Sequence, residues 1–345
     1  MRALVLLLAI GFSLTSVGGT AKKSVRKSTA PKPAAVKAVN PVKAAAPVQT
    51  AHRRSPYVGA ISIDAATGNV LFEENADAEA YPASVTKLMT LLLVLEDVKA
   101  GRYGFDDLVT ATADAYHSEP SWVGLKVGEQ MSVRDLCTAL MVESANDAAI
   151  VLGVHSAGSY SAFVDRMNAR ATELGMKRTK YYNPNGLPPN SAKRYPWKSF
   201  NVTTARDQML LARALVSKSE TFSFTSVKTC DLVKTSTGYR VSVTRRVNEP
   251  LRETALSDGE KTVKQMRNHN NVMRTDKLKI LNPDGKEAVD GLKTGYIDAG
   301  GSSIILTGSR KGRRVVVVVL GSTTAKERDA NARRLMLDGL SALTW

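Results

Sequence analysis

Cysteine and histidine are scarce in this chain of 345 residues, at two and four, and aromatic side chains make up 6%. So small a cysteine supply excludes a disulfide-stapled scaffold, and Cys137 and Cys230 are expected to be two buried thiols rather than a bridge. The histidines, His52, His117, His155 and His269, fall in separate segments without HxxxH, HExxH or HxxE spacing. That leaves a zinc hydrolase little support, and each is read as a surface or packing residue. No GxSxG elbow announces a serine, histidine, aspartate triad either. Apart from the ten-residue run Ala3–Phe12, no stretch approaches the ~18 apolar residues of a membrane span, which excludes a polytopic membrane protein. Acidic residues are missing from the first 55 positions, which hold 10 basic ones. Of the net charge of +16, a surplus of six (38 basic against 32 acidic) therefore belongs to residues 56–345. A surplus that small over a folded body needs no polyanionic partner, and nucleic-acid binding is not expected.

What is there begins with Arg2, the apolar run, and a small-residue step at Gly19-Thr20-Ala21, the three regions of a secretory signal. Residues 1–21 are expected to be that signal, cleaved after Ala21, with an uncleaved N-terminal membrane anchor as the alternative. Residues 22–55 are rich in Lys, Arg, Ala, Pro and Val and lack glycine, a composition that builds no core and favours extended conformers. At ~3 Å per residue such a linker reaches on the order of 100 Å. A solvated spacer is the preferred reading, ahead of contact with anionic envelope polymers or lipid head groups. With 43% apolar residues overall, residues 56–345 can form one large or two closely packed domains.

Within that body, Val58–Asp64, the turn Ala66–Asn69 and Val70–Glu73 read as a hairpin. Ser84–Lys99 reads as a helix too apolar for the surface, hence a central one. Further helices are expected from Ser132 toward Val142, over Asp147–His155, over Tyr160–Leu174 and over Thr204–Val216. After residue 220 the pattern turns to strands: Gly291–Gly295, then a hairpin of Ser303–Ser309 and Val315–Leu320, with a closing helix over Lys326–Leu340. Early and late strands flanking a helical insert predict an α+β fold.

The chemistry must come from the residue types present. Ser84-Val85-Thr86-Lys87 opens the apolar helix, and a spacing of three puts hydroxyl and amine on one face, one turn apart. Ser84 can be a nucleophile and Lys87 its base, provided burial or a second cation lowers the lysine's proton affinity. S-x-x-K alone is weak, since composition yields about one chance copy in such a chain. Ser24–Lys27 is such a decoy. Two more signals follow in order, Ser144-Ala145-Asn146 at a helix junction and Lys293-Thr294-Gly295 at a strand end. The plain reading of S-x-N is a cap for the next helix. A given K-T-G is rarer, in roughly one chain in ten by chance, and Lys293 supplies the second cation.

The ordered trio resembles that of penicillin-binding proteins and class A β-lactamases, and the wider sequence resembles the D-alanyl-D-alanine carboxypeptidases among the low-molecular-mass penicillin-binding proteins. The resemblance runs over roughly residues 57–343 through Ala60–Gly68, Pro82–Thr90, Glu143–Ala148, Asn183–Leu187, Thr204–Asp207 and Asp290–Tyr296. It implies a β-lactamase/DD-peptidase-like fold, an antiparallel sheet flanked by helices with the active site between them, in a catalytic domain of residues 56–345. It implies that Ser84 is acylated, Lys87 is its base, Ser144 relays the proton to the leaving D-alanine and Asn146 holds the peptide amide. Lys293, Thr294 and Gly295 would face the substrate, the first two at its terminal carboxylate. The N–H groups of Ser84 and Tyr296 would form the oxyanion hole, and Arg328 would attract the carboxylate. The plain alternative for Arg328 is a surface charge at a helix start, while Asp147 and Asp207 read as structural helix-start carboxylates.

The implied activity is trimming of peptidoglycan stem peptides, with β-lactams as covalent inhibitors, in the periplasm or cell envelope, without metal or cofactor. Alternatives are a DD-endopeptidase, then a β-lactamase, or a non-catalytic wall-binding protein. Departures from the family are Ile297 in place of a frequent threonine and a longer basic, aromatic loop at Pro188–Phe200. The smaller β-rich domain of many relatives is expected to be missing after the K-T-G segment.

Overall fold

The computed structural model describes residues 54–115, 118, 120–189 and 199–343. The expected signal, all but the end of the basic linker, His52, His117 and most of the 188–200 loop lie outside the described residues. The hairpin is present as β1 (Gly59–Asp64) and β2 (Val70–Glu74). Next comes a departure from expectation. Ala83–Thr86 is a 3₁₀ turn, and the α-helix that follows, α1, spans Lys87–Lys99. The turn is tight because β-strand backbone presses on it, as described below. Every residue of α1 from Lys87 to Leu95 is buried, as expected of a central helix.

A small ribbon, β3 (Leu108–Thr110) with β4 (Gln130–Ser132), leads to α2 (Val133–Val142), capped by Ser132, whose hydroxyl accepts the Asp135 N–H at 3.1 Å. Then come α3 (Asn146–Ala157), α4 (Tyr160–Glu173), α5 (Ala205–Val216) and α6 (Glu220–Thr225). The strands β5 (Val227–Lys234), β6 (Tyr239–Arg246) and β7 (Lys261–Arg267) form a sheet in the order β6-β5-β7. After a single turn, α7 (Asn271–Arg274), the chain runs through β8 (Val289–Ile297), β9 (Gly301–Arg310), β10 (Arg313–Ser322) and α8 (Ala325–Ala342).

The first and last strands share one antiparallel sheet in the order β2-β1-β10-β9-β8, with the helices between them in sequence, so the fold is α+β. Val315–Leu320 is apolar throughout because both faces of β10 are covered. Val315, Val317 and Val319 pack with Leu335, Met336 and Leu340 of α8, whereas Val316, Val318 and Leu320 join the core that contains α1 and α5. Fully burying each such side chain contributes roughly 1.5–3 kcal/mol. Cys137 and Cys230 are both buried thiols, with no bridge between them. Among the described residues, no helix is long and apolar enough to cross a membrane. Of the sheet's two edge strands, β8 is the one that faces the 3₁₀ turn.

Candidate active site

Two glycines let three backbone segments meet at Ser84. A Cβ on Gly295 would lie 2.7 Å from the Pro82 carbonyl oxygen and 3.0 Å from the Ser84 nitrogen, so the K-T-G strand rests directly on the turn. On the other side Gly186, at φ 84°, leaves no room for a side chain: a Cβ there would lie 1.9 Å from the Ala83 oxygen. Asn201 ties this side down, donating to Thr86 Oγ1 at 3.0 Å and to the Asn183 carbonyl at 3.0 Å.

Inside this cradle lies Lys87, fully buried at the first position of α1. Its Nζ is 2.9 Å from Ser84 Oγ, 2.8 Å from Asn146 Oδ1 and 2.7 Å from the Asn185 carbonyl oxygen. The 3₁₀ turn favours the first contact, since residues three apart eclipse in that geometry. Burial first, and the charge of Lys293 second, push the Lys87 amine well below the ordinary lysine value, with Asp147 opposing. A neutral amine has two N–H bonds and one lone pair. With Asn146 and Asn185 accepting the N–H bonds, the lone pair is left for the Ser84 hydroxyl.

Ser144 and Asn146 sit at the corner between α2 and α3. The capping reading of S-x-N is corrected here: Ala145 is the N-cap residue and no side chain caps α3. Asn146 is instead buried against Lys87, and Ser144 adopts a left-handed backbone at φ 63° with a buried Oγ that has no hydrogen-bond partner among the described residues. Asp147 does the structural work expected of it, accepting N–H groups from Val123, Gly124, Leu125 and Ala148 within 3.2 Å. Asp207 likewise accepts from the Arg178 N–H and the Thr179 hydroxyl, both at 2.8 Å.

Lys293 is buried on β8, donates to the Thr294 carbonyl at 3.0 Å, and is pushed down to about 7 by burial and by Arg328, with Glu143 opposing. Thr294 is buried beside it, and Tyr296 is exposed with its hydroxyl donating to Asp298 Oδ1 at 2.6 Å. The surface reading of Arg328 is also corrected. It is 5% exposed, its Nε donates to Asp329 Oδ1 at 2.8 Å, and its charge acts on Lys293. Hydrogen bonds and backbone contact thus join Ser84, Lys87, Asn146 and Gly295, while Lys293 and Arg328 join them electrostatically.

Two contributors escaped the sequence. The Asn185 carbonyl carries no side-chain signature, although the Asn-Pro-Asn-Gly turn around it is conspicuous. His269, read as a packing residue, has its proton affinity lowered to about 4 by desolvation and then by Lys293 and Lys87, which puts it beside the site. His155 does pack, its ring 4.6 Å from that of Tyr103.

Residues 48–281 match the sequence pattern of the D-alanyl-D-alanine carboxypeptidase family. The chain is 29% identical over 279 residues to the D-alanyl-D-alanine carboxypeptidase DacF of Bacillus subtilis, an alignment covering 80% of the chain and 60% of that relative. Among solved structures, the D-alanyl-D-alanine carboxypeptidase DacD of Francisella tularensis superposes with a TM-score of 0.69 at 27% identity, over 87% of this chain and 74% of that one. The ampicillin-bound Penicillin-Binding Protein D2 of Listeria monocytogenes gives a TM-score of 0.61 at 28% identity, over 82% of this chain and 97% of that one.

Proposed function

The chain belongs to the D-alanyl-D-alanine carboxypeptidase family, and on that premise we propose that it is a serine DD-carboxypeptidase that removes the terminal D-alanine of peptidoglycan stem peptides. The observation that carries this reading is the buried Lys87 amine held between Ser84 Oγ, Asn146 Oδ1 and the Asn185 carbonyl. Ser84 Oγ attacks the carbonyl carbon of the penultimate D-alanine while Lys87 accepts the hydroxyl proton. The oxyanion is met by the N–H groups of Ser84 and Tyr296. The C–N bond breaks as the leaving amine takes a proton through Ser144, and water then hydrolyses the ester on Ser84 to restore the enzyme. Asn146 holds the peptide amide, and Lys293, Thr294 and Arg328 meet the terminal carboxylate, a charge-assisted contact. A β-lactam is attacked the same way but leaves no group free to depart, which supports covalent inhibition.

Export through residues 1–21 and a solvated spacer over residues 22–55 complete the proposal, with electrostatic contact of that spacer with anionic envelope polymers as the second reading. Their support is composition: a signal-like apolar run, and 10 basic residues without an acidic one.

Fluorescent penicillin tests the reading. It should label the protein on Ser84, and Ser84→Ala should abolish labelling with the fold intact; labelling that survives sinks the mechanism. D-Alanine release from a pentapeptide, without cleavage of a purified cross-linked dimer, supports the carboxypeptidase. Cleavage of the dimer alone would make it an endopeptidase, and rapid turnover of penicillin a β-lactamase.

A further inference from the structure

Glu143 closes α2 as its C-cap and immediately precedes the left-handed Ser144. That backbone is uphill for any residue with a Cβ, so neighbours must hold it. The Glu143 and Ala145 N–H groups both reach the Ala139 carbonyl, at 3.1 and 3.2 Å, and the Asn146 N–H reaches the Ser121 carbonyl at 2.7 Å. One tie comes from a different sheet: Lys264 Nζ on β7 donates to the Glu143 carboxylate. The glutamate side chain is 13% exposed and the lysine 43%, so a mostly buried anion is held by a cation that reaches in from the surface.

The charges around Lys293 give this pair a second consequence. From α8, Arg328 acts on Lys293 with its guanidinium engaged by Asp329; from α1, Lys87 lies close enough for the two amines to repel. His269 feels both of these lysines as well as the cations Arg274 and Lys264, and Asp147 acts on Lys87. Asp290, earlier on β8, is occupied by Arg314 at 2.8 Å. Glu143 is the anion that favours a protonated Lys293.

We propose that the Glu143–Lys264 ion pair is a positioning device for the site, fixing the corner that presents Ser144 and setting the negative charge that Lys293 faces. The role of this device in turnover rests on the function proposed above, whereas its effect on Lys293 does not. Lys264 has two opposed effects. It anchors Glu143, and it offsets part of the charge that Glu143 presents to Lys293. The two halves of the pair must therefore act in opposite directions on the lysine. Glu143→Gln removes the anion, so Lys293 gives up its proton at lower pH. Lys264→Met leaves the anion unopposed, so Lys293 keeps its proton to higher pH. A purely mechanical brace would leave the titration in place in both variants.

The direct test follows Lys293 by NMR in full-length protein labelled with ¹³C at lysine Cε, the signal assigned by its loss in Lys293→Arg. The expected result is a midpoint displaced downward in Glu143→Gln and upward in Lys264→Met, each by roughly half a pH unit or more. Unmoved midpoints, or displacement in the same direction, overturn the inference. The charge swap Glu143→Lys with Lys264→Glu separates anchor from charge. With acylation read below each variant's own Lys293 midpoint, so that the lysine is protonated throughout, it should restore the penicillin acylation rate lost in the single variants while keeping the midpoint low. A swap no faster than the slower single variant overturns the anchoring role. Absence of penicillin labelling in the unaltered protein would instead defeat the proposed activity and with it the role in turnover, while the NMR result would still decide the link to Lys293.

Discussion

Lys87 and Lys293 are buried amines, and at the residue scale burial is what makes them useful and what makes them expensive. The folded value of Lys293, about 7, lies below the roughly 10.4 of an unfolded lysine, so the unfolded chain binds more protons and protein stability rises with pH across that interval. Lys293→Met should accordingly raise the melting temperature below pH 7, with the gain fading toward pH 10, while activity is lost. Melting curves at pH 5.5, 7.5 and 9.5 check the sign; a gain that grows with pH would contradict it. In the proposed reaction Lys293 must be protonated to meet a carboxylate. The rate constant kcat/KM, which reports the free enzyme, should therefore fall on the alkaline side of about pH 7, whereas kcat holds to higher pH because bound carboxylate favours the cation. Arg328 can be tested on the same principle. Arg328→Ala should slow hydrolysis of an acid-ended peptide by about 1.5–3 kcal/mol and hardly affect an amidated one. Because Asp329 loses its buried partner, the variant will be less stable, and the ratio of the two rates cancels any loss of folded enzyme.

At the scale of elements, Ser84, the proposed nucleophile, belongs to a 3₁₀ turn wedged between the β8 strand and the Asn183–Leu187 turn, rather than to the long helix behind it. The wedge depends on the absence of two side chains. Gly186→Ala requires a left-handed backbone and a Cβ 1.9 Å from the Ala83 oxygen, so the turn must move. We expect a stability loss of about 2–3 kcal/mol in urea unfolding and at least a tenfold slower penicillin acylation, the two effects arising from one displacement. A closing helix shows the opposite economy. Thr324 and Glu327 form a full capping box at the start of α8, and Thr324→Ala should cost about 1 kcal/mol without altering acylation, since the cap serves the helix and not the site.

For the whole molecule, the charge asymmetry separates a basic N-terminal segment from a nearly balanced body. A segment with charge but no core-forming residues should add nothing to catalysis. Deleting residues 22–53, which spares the bonds of Arg54 to Gly321 and of Ser55 to Glu327, should leave the melting temperature and D-alanine release from a soluble peptide unchanged but weaken retention on isolated cell envelopes at low salt. Equal retention would reduce the segment to a spacer.

Sequence alone determined the elements whose cause is local or periodic. The valines of β10 are continuous because both faces are covered, α1 is apolar from Leu91 to Leu95 because it is central, and the α+β class follows from strands at the two ends of the body. It also marked Ser84, Lys87, Ser144, Asn146 and Lys293, because three short motifs in one order are rare by chance. Tertiary structure decided what depends on atoms distant in the chain. Asn146 could have been a cap until Lys87, 59 residues away, occupied its oxygen at 2.8 Å. For Arg328 the sequence left a surface charge open beside a carboxylate-attracting role, and the fold, which leaves it 5% exposed, excluded the surface reading. The Asn185 carbonyl, the placement of His269 and the Glu143–Lys264 pair have no sequence signature, because a backbone oxygen is the same in every residue and the field at a lysine is a sum over whichever charges the fold brings near.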